Sequence, residues 1–94
     1  MKIFFVKLTK DATDDLSTVP FYIKSKLFLW AEEVKKWGIH EVRKIRGYHD
    51  EPLKGNRKGM RSIRLNKAYR AIYKEDIHKE IHIIWIKEVN KHEY

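Results

Sequence analysis

The strongest pattern in the chain is a row of large apolar residues at helical spacing in its first half. Successive members are separated by four, three, four and three residues, which places them on one face of an α-helix. The members of the row are Ile23, Leu27, Trp30, Val34 and Trp37. Pro20 precedes the row, where a fixed φ and a missing N–H suit a helix start, and Gly38 follows it as a C-terminal cap. The pattern predicts one helix over residues 20–37.

Shorter apolar segments on either side of this helix are typical of β-strands. Residues 2–8 are rich in β-branched and aromatic side chains, and residues 62–66 alternate polar and apolar side chains. We expect two further strands, residues 68–73 and residues 81–89, joined by a hairpin turn at residues 76–79. Because the last strand is the most apolar, we expect it to lie centrally with both of its faces covered.

The remaining segments are shorter or more polar. Residues 11–17 form either one helical turn or a loop, and residues 39–45 predict a brief helix that ends near Gly47. The order of strand, helices and three strands predicts an α+β fold. In it, the N-terminal strand and the helices pack on one face of a small, mainly antiparallel sheet. We expect residues 1–94 to form a single domain.

The charge of the chain is concentrated in its middle third. The net charge is +8, and residues 35–70 alone contain twelve Lys or Arg and three acidic residues, a local excess of +9. Residues 1–34 sum to zero and residues 71–94 to −1. Segregated positive charge favours binding to a polyanion through counterion release and long-range attraction. The alternative is a solvated surface that only keeps the protein soluble.

Several classes of site and location are not expected. The chain has no cysteine, which excludes a disulfide scaffold, a thiolate metal site and a cysteine nucleophile. His78 and His82 straddle a predicted turn and strand, where their spacing does not converge on a metal ion, and we expect no metal or other cofactor. The apolar run near the first residue is too short for a signal peptide, and no segment approaches the length of a membrane span. We therefore expect a soluble cytoplasmic protein without membrane contact.

The face of the predicted sheet that the helices leave open is where a ligand can bind. In the strand over residues 62–66, Ile63 and Leu65 point towards the core, so Ser62, Arg64 and Asn66 lie on the opposite side. This arrangement places a guanidinium on the open face of the sheet.

Arg70 is a second candidate on this face, because it interrupts an otherwise apolar strand. Burying an unpaired guanidinium is costly, so Arg70 needs a partner or an open groove. One interpretation is an ion pair with Glu88 or Glu80 across the sheet. The other is that Arg64 and Arg70 form a phosphate clamp, to which the planar, permanently charged guanidinium is well suited.

The last residues supply further candidates. His92 carries the one type of side chain whose unperturbed charge changes near neutral pH, so it can donate or accept a proton. Tyr94 offers a ring for stacking on a base and a hydroxyl for a phosphate. The alternative for both is that they are ordinary exposed residues.

Four segments of the chain together resemble the RelE/HigB superfamily, the toxins of type II toxin–antitoxin pairs. They are residues 48–55, 61–65, 68–73 and 88–94. They contain a Pro-Leu-Lys-Gly loop, a Tyr-Arg strand and a terminal tyrosine. The resemblance implies a RelE-like, microbial-ribonuclease-like fold and metal-free cleavage of mRNA in the decoding site of the ribosome. It also implies a cognate antitoxin that neutralises the protein.

The resemblance also implies roles for individual residues. Arg70 would contact the scissile phosphate, Arg64 would face the same groove, and Tyr94 would stack on or orient the substrate. Several relatives carry an arginine where this chain has Glu88, which leaves the general acid open between His92 and Lys91. The residues expected to contact the RNA backbone are Lys54, Arg57, Lys58, Arg61, Lys67 and Lys91.

The implied chemistry is attack of an RNA 2′-OH on the adjacent phosphate, which leaves a cyclic phosphate and a 5′-OH. Two other functions remain open at this point. ParE-like toxins share the fold but poison DNA gyrase by binding, without cutting RNA. A non-catalytic RNA-binding module is the third possibility, for which Glu88 is the only indication.

Overall fold

The computed structural model describes residues 1–91, which form three α-helices on one side of a five-stranded mixed sheet. The elements are β1 (Ile3–Leu8), α1 (Lys10–Leu16), α2 (Phe21–Trp37), α3 (Ile39–Val42), β2 (Glu51–Pro52), β3 (Arg61–Arg64), β4 (Tyr69–His78) and β5 (Ile81–Lys91), with short 3-10 turns at Arg46–Tyr48 and Gly55–Arg57. The strand order is β1-β5-β4-β3-β2, in which β1 runs parallel to β5 and the other pairs are antiparallel. The predicted α+β architecture is confirmed. None of the helices in this part of the chain is long and apolar enough to cross a membrane.

The long helix α2 supplies most of the helix side of the core. Four of the five residues in the predicted apolar row are almost fully buried, but Trp37 is 61% exposed. Such a row turns around a helix by about 20° for every seven residues, so over the fourteen residues to Trp37 it has drifted by about 40°, towards the edge of the packed face. Gly38 ends the helix with φ 86° and ψ 152°, and its N–H donates to the carbonyl of Val34. The ring of Phe4 packs closely against this glycine.

The hairpin of β4 and β5 is longer than predicted. β4 continues to His78, so the turn lies at residues 79–80 and not at 76–79, and Lys79 adopts a positive φ of 57°. The polar segment after Tyr73 stays in the sheet because Lys74 and Asp76 point away from the helices, opposite Trp85 and Ile83 of β5. The prediction that β5 is covered on both faces is wrong, since its burial alternates along the strand.

β5 contains a β-bulge at Lys87. Ile72 of β4 pairs with Glu88, whereas the next residue, Tyr73, pairs with Ile86, which leaves Lys87 without a partner in the β4 ladder. The hydroxyl of Thr9 donates a hydrogen bond of 3.0 Å to the carbonyl of Lys87 and so satisfies this backbone group at the bulge. The bulge lets Ile86 and Val89 both reach the core although three positions separate them.

The shorter elements complete the fold. α1 has two turns, more than the single turn considered from the sequence, and the side chain of Thr9 caps it by accepting from the N–H of Ala12. α3 confirms the brief helix after Gly38. β2 was not predicted from the sequence, because it has two residues and one of them is Pro52, which cannot donate to the ladder. β2 nevertheless sets the position of Glu51.

Candidate active site

The sheet face turned away from the helices, here called the outer face, carries an open groove near the end of β5. Its lining residues are Leu53, Arg57, Ser62, Arg70, Ile72, Asn90 and Lys91, around a volume of about 640 Å³. Ile72 is buried but does not belong to the helix-side core, so it forms part of the floor of this groove. The loop between β2 and β3 contributes Leu53 and Arg57 to its wall. The expectation of an accessible outer face is met at this end of the sheet.

Arg70 projects into the groove and has an acidic partner there. Its Nη1 lies 3.1 Å from Oε1 of Glu51 and 3.2 Å from the hydroxyl of Ser62. The proposed partners Glu88 and Glu80 are therefore wrong. Glu51 takes this position because β2 pairs it with Ser62, directly beside Arg70 on the same side of the sheet.

Glu51 is a site residue that sequence reasoning missed. Its carboxylate is more than half exposed and holds the guanidinium of Arg70 at the mouth of the groove. Glu51 directly precedes the Pro-Leu-Lys-Gly segment, but the sequence offered no sign that this part of the chain pairs with the strand carrying Ser62. β2 forms through its pairing with β3, and a strand of two residues has no sequence pattern from which this pairing could be predicted.

Arg64 and Arg70 face each other across β3 and β4 as directly paired residues. Directly opposed residues of antiparallel strands project to the same side, and like charges in this position destabilise a sheet. Among residues 1–91, no acidic side chain forms an ion pair with Arg64. A pair of cations held together in this way, only one of them neutralised, is suited to binding an anion.

Glu88 lies on the outer face and is paired with a cation of the loop. Its Oε1 is 2.9 Å from Nη2 of Arg57 and also accepts a hydrogen bond from the side chain of Asn90. The carboxylate therefore tethers the β2–β3 loop to β5 beside the groove.

Arg61 lies on the other side of the sheet from Arg64. It is paired with Tyr73, whose ring is in the core, and its Nε lies 2.6 Å from Oδ1 of the buried Asp50. Burial alone would lower the pKa of Arg61, but the hydrogen bond and charge of Asp50, together with Tyr73, raise it. Arg61 therefore does not face the groove with Arg70, because residues three apart along a strand project to opposite faces, and its expected contact with the RNA backbone stays a prediction.

The same ion pair extends into a polar network on the helix side. The hydroxyl of Tyr73 donates to Oδ2 of Asp50 over 2.6 Å and accepts from Nε of Arg43 over 2.9 Å. Burial and the bond to Asp50 raise the pKa of Tyr73, although Arg43 acts in the opposite direction. This network fixes the residue immediately before Glu51.

The other predicted residues are distributed around the groove. Lys54 and Lys58 are exposed in the β2–β3 loop, and Lys91 lines the groove at the end of β5. Lys67 is exposed in the connection between β3 and β4. The remaining two candidates, His92 and Tyr94, lie outside the described residues.

The histidines considered for a metal site have other surroundings. His82 is buried, and its Nδ1 lies 2.6 Å from Oε2 of Glu75, whereas His78 is exposed at the end of β4. Within residues 1–91, no three metal-ligating side chains of His, Asp or Glu come together.

Solved structures of bacterial toxins share this fold. YafQ from E. coli has a TM-score of 0.71 at 15% identity, with 92% of this chain and 90% of that chain aligned. A YoeB/ParE toxin from Agrobacterium tumefaciens has a TM-score of 0.72 at 19% identity, with 99% and 100% aligned. The RelBE2 toxin–antitoxin complex from Mycobacterium tuberculosis gives 0.65 at 22% identity, with 96% and 99% aligned.

These likenesses establish the fold. No family sequence model matches the chain, and no curated protein matches it either. The RelE-like fold expected from the four resembling segments is therefore confirmed by structure, over nearly the whole chain, at identities of 15% to 22%. The roles of individual side chains rest on the geometry of the groove.

Proposed function

We propose that this protein is the toxin of a type II toxin–antitoxin pair, a cytoplasmic endoribonuclease that cleaves mRNA on the ribosome without a metal ion. The observation that carries the proposal is the direct opposition of Arg64 and Arg70 on the outer face, where Arg70 lines the open groove and is paired with Glu51. Two guanidiniums in this position bind a phosphate, and the adjacent carboxylate can accept a proton. The fold shared with solved toxin structures supports the same assignment.

The proposed reaction is a transesterification within the RNA strand. Glu51 accepts the proton of the 2′-OH, whose oxygen then forms a bond to the adjacent phosphorus. The bond from phosphorus to the 5′ oxygen breaks, and that oxygen receives a proton from His92 or Lys91. Arg64 and Arg70 stabilise the additional negative charge on the phosphate oxygens. The products are a 2′,3′-cyclic phosphate and a 5′-OH.

The proposed dependence on the ribosome is supported by how few groups of the groove could orient a substrate. The groove presents cations for the backbone, from Arg57 and Lys91, but few groups that could read a base. An enzyme of this kind gains from a second surface that holds the mRNA in an attack geometry. The ribosome supplies such a surface during translation.

The decisive experiment compares cleavage of a reporter mRNA during translation in vitro, mapped by primer extension. Arg70→Ala should lower the cleavage rate about 100- to 1000-fold, the usual effect of removing one preorganised donor. Glu51→Gln should lower it as well, because the amide cannot accept the proton. Arg46→Ala, an exposed arginine outside the groove, is the matched control and should cleave like the wild type. Equal cleavage by Arg70→Ala and the wild type would refute the assignment.

The general acid is tested with the same assay. His92→Ala and Lys91→Ala each remove one candidate proton donor, and Tyr94→Ala removes the aromatic ring proposed to orient the substrate. The true donor is identified by a loss of rate that is relieved on an RNA with a 5′-bridging sulfur, whose leaving group needs no protonation. A variant whose defect persists on that RNA acts in another way.

Gyrase poisoning is the competing function, and one of the solved structures with this fold is named a YoeB/ParE toxin. Supercoiling by DNA gyrase in the presence of the purified protein separates the two activities. Unimpaired supercoiling together with mRNA cleavage supports the ribonuclease. Impaired supercoiling without cleavage establishes the gyrase toxin, and RNA binding without products of either reaction establishes a non-catalytic module.

A cognate antitoxin is the expected partner. Several of the structures with this fold are toxin–antitoxin complexes, including the YoeB–YefM complex from Staphylococcus aureus. An antitoxin helix or added strand that covers the groove would neutralise both guanidiniums. Expression of the protein should arrest growth unless the gene beside it is expressed too, and Arg70→Ala should relieve this requirement.

A further inference from the structure

The outer face of the sheet carries a second surface in the first half of β5, whereas the groove lies at the end of that strand. Trp85 lies at its centre, between Lys7 of β1 on one side and Lys74 of β4 on the other, to which it is directly paired. Phe5 and Ile83 form the next pair along the same strands. We call these five residues the Trp85 platform.

The Trp85 platform is apolar at its centre and bordered by cations. Phe5 is 46% exposed, although it lies on a β-strand face where polar side chains are usual. The ammonium of Lys7 lies 5.8 Å from the centre of the Trp85 ring. Asp76, which is paired with Ile83, is the acidic side chain that β4 contributes to this part of the face.

An aromatic ring accompanied by lysines is the combination that single-stranded nucleic acids occupy. Bases stack on exposed aromatic side chains of β-sheets, and neighbouring lysines neutralise the phosphates between them. A hydrophobic protein segment would need no lysine on both sides of the ring. The charges at Lys7 and Lys74 therefore favour a polyanion as the occupant.

The Trp85 platform and the groove belong to one continuous surface. Along β4, Lys74 follows Arg70 by four residues, which corresponds to about 13 Å of strand at roughly 3.3 Å per residue. Lys74 stands directly opposite Trp85, and Arg70 opposite Asn90 of the groove. An RNA strand leaving the two guanidiniums along β4 and β5 reaches the tryptophan within a few nucleotides.

We infer that the Trp85 platform is a binding subsite for the RNA substrate, in which a base a few nucleotides from the scissile phosphate stacks on Trp85 and the phosphates beside it contact Lys7 and Lys74. The inference rests on the proposed function, since it takes the groove as the site of cleavage. In this inference, the apolar half of the outer face binds the part of a longer RNA that extends beyond the groove and positions that RNA for cleavage. Chemistry remains with the groove.

The test measures binding of uncleavable RNA oligonucleotides that carry a 2′-deoxy sugar at the scissile position. One set covers the groove only, and a second set is extended by several nucleotides towards the Trp85 platform. Trp85→Ala should weaken binding of the extended set by about tenfold to a hundredfold, the usual effect of removing one stacking ring. It should leave the short set unchanged, so that both sets bind alike.

Three further variants serve as controls for this result. Trp85→Phe retains a ring and the packing on β5, and it should preserve most of the benefit of the extension. Trp37→Ala removes the exposed tryptophan at the end of α2, whereas Trp85 itself is half-buried, and it should behave like the wild type with both sets. Arg70→Ala should weaken both sets equally.

The possible outcomes separate this inference from the proposed function. Cleavage of mRNA with no effect of Trp85→Ala at any RNA length overturns the platform and leaves the ribonuclease in place. Length-dependent binding that requires Trp85, without cleavage, supports the platform and overturns the ribonuclease. If Trp85→Ala weakens only the complex with the antitoxin, the surface docks a protein and the inference is wrong.

Discussion

Asp50 is the residue that connects the core with the candidate site. Its side chain is 1% exposed, and its two oxygens accept hydrogen bonds from Arg61 and from the hydroxyl of Tyr73. The next residue in the chain, Glu51, holds Arg70 on the outer face. The carboxylate of Asp50 thus anchors the strand that positions the acid of the groove.

Asp50→Ala should lower the free energy of unfolding by about 3 kcal/mol, the lower end of the cost of breaking a buried ion pair, because Arg61 keeps some contact with water. Urea unfolding followed by tryptophan fluorescence measures this change. Glu41→Ala breaks the exposed pair with Lys44 and is the control, with an expected effect of about 0.5 kcal/mol or less. Equal effects of the two substitutions would contradict the anchoring role.

Tyr48 makes the stability sensitive to alkali. Burial and the hydrogen bond that its hydroxyl donates to Glu33 raise the pKa of Tyr48. Because the folded state holds this proton more tightly, its contribution is fully present below about pH 10, where the unfolded phenol titrates, and falls above that pH. The loss is at most about 1.4 kcal/mol per pH unit for one tyrosine.

Tyr48→Phe should therefore flatten the decline in the free energy of unfolding between about pH 10 and pH 11, whatever its effect at neutral pH. Urea unfolding at a series of pH values gives the slope. Tyr22→Phe removes an exposed hydroxyl and should retain the slope of the wild type. An unchanged slope in Tyr48→Phe would show that other groups cause the alkaline loss.

The limit of prediction at the residue scale is illustrated by two arginines. Arg61 and Arg64 are both basic residues of the central segment, and composition does not distinguish them. Their positions along the strand do distinguish them, because alternate residues project to the same face and Arg61 is two residues from the inward-pointing Ile63. The buried partner Asp50 could not be foreseen, because it comes from a loop eleven residues earlier.

Among the elements, the end of α2 depends on a position that only glycine tolerates. Gly38 has φ 86° and ψ 152°, and a Cβ added there would lie 2.9 Å from Cε2 of Phe4. This backbone region is essentially restricted to glycine. The helix end and the first strand can approach each other because the side chain is missing.

Gly38→Ala should destabilise the protein by about 1–3 kcal/mol through backbone strain, with a further cost for the displaced ring of Phe4. Thermal unfolding measures the change. Gly47→Ala is the matched control, since its Cβ would meet no atom within 4 Å and should alter stability little. A Gly38→Ala protein as stable as the control would refute the conformational requirement.

The elements differ in how far their sequence determines them. The helix over residues 21–37 follows directly from the spacing of its apolar residues and from the flanking Pro20 and Gly38. The end of β4 was predicted as a turn because its residues are polar, and the sequence alone does not show that these polar side chains lie on the solvent-facing side of a strand. β2 is set by contacts with β3 and has no pattern of its own.

For the whole molecule, the uneven distribution of charge predicts how binding responds to salt. For single-stranded nucleic acid, the logarithm of affinity falls with the logarithm of salt concentration by about 0.7 per phosphate contacted. Lys54→Ala, in the loop beside the groove, should reduce this slope by about 0.7 and weaken binding of all RNA sequences alike. Fluorescence anisotropy at several salt concentrations measures the slope.

Lys10→Ala is the control for this experiment. Lys10 lies on α1 in the first third of the chain, whose charges sum to zero, and its ammonium pairs with Asp14. Its removal changes the net charge by the same amount and should leave the slope of the wild type. If both substitutions alter the slope equally, overall charge governs binding and the loop makes no contact.

The bulge at Lys87 has a consequence for aligning this sequence with those of other proteins that share the fold. A chain that lacked this one residue could close the β4–β5 ladder without interruption, while Ile86 and Val89 kept their places in the core. Single-residue changes in length are therefore expected here during evolution. A sequence alignment that places its gap at residue 87 preserves the inward and outward order of the whole strand, whereas one that places it elsewhere exchanges the two sides.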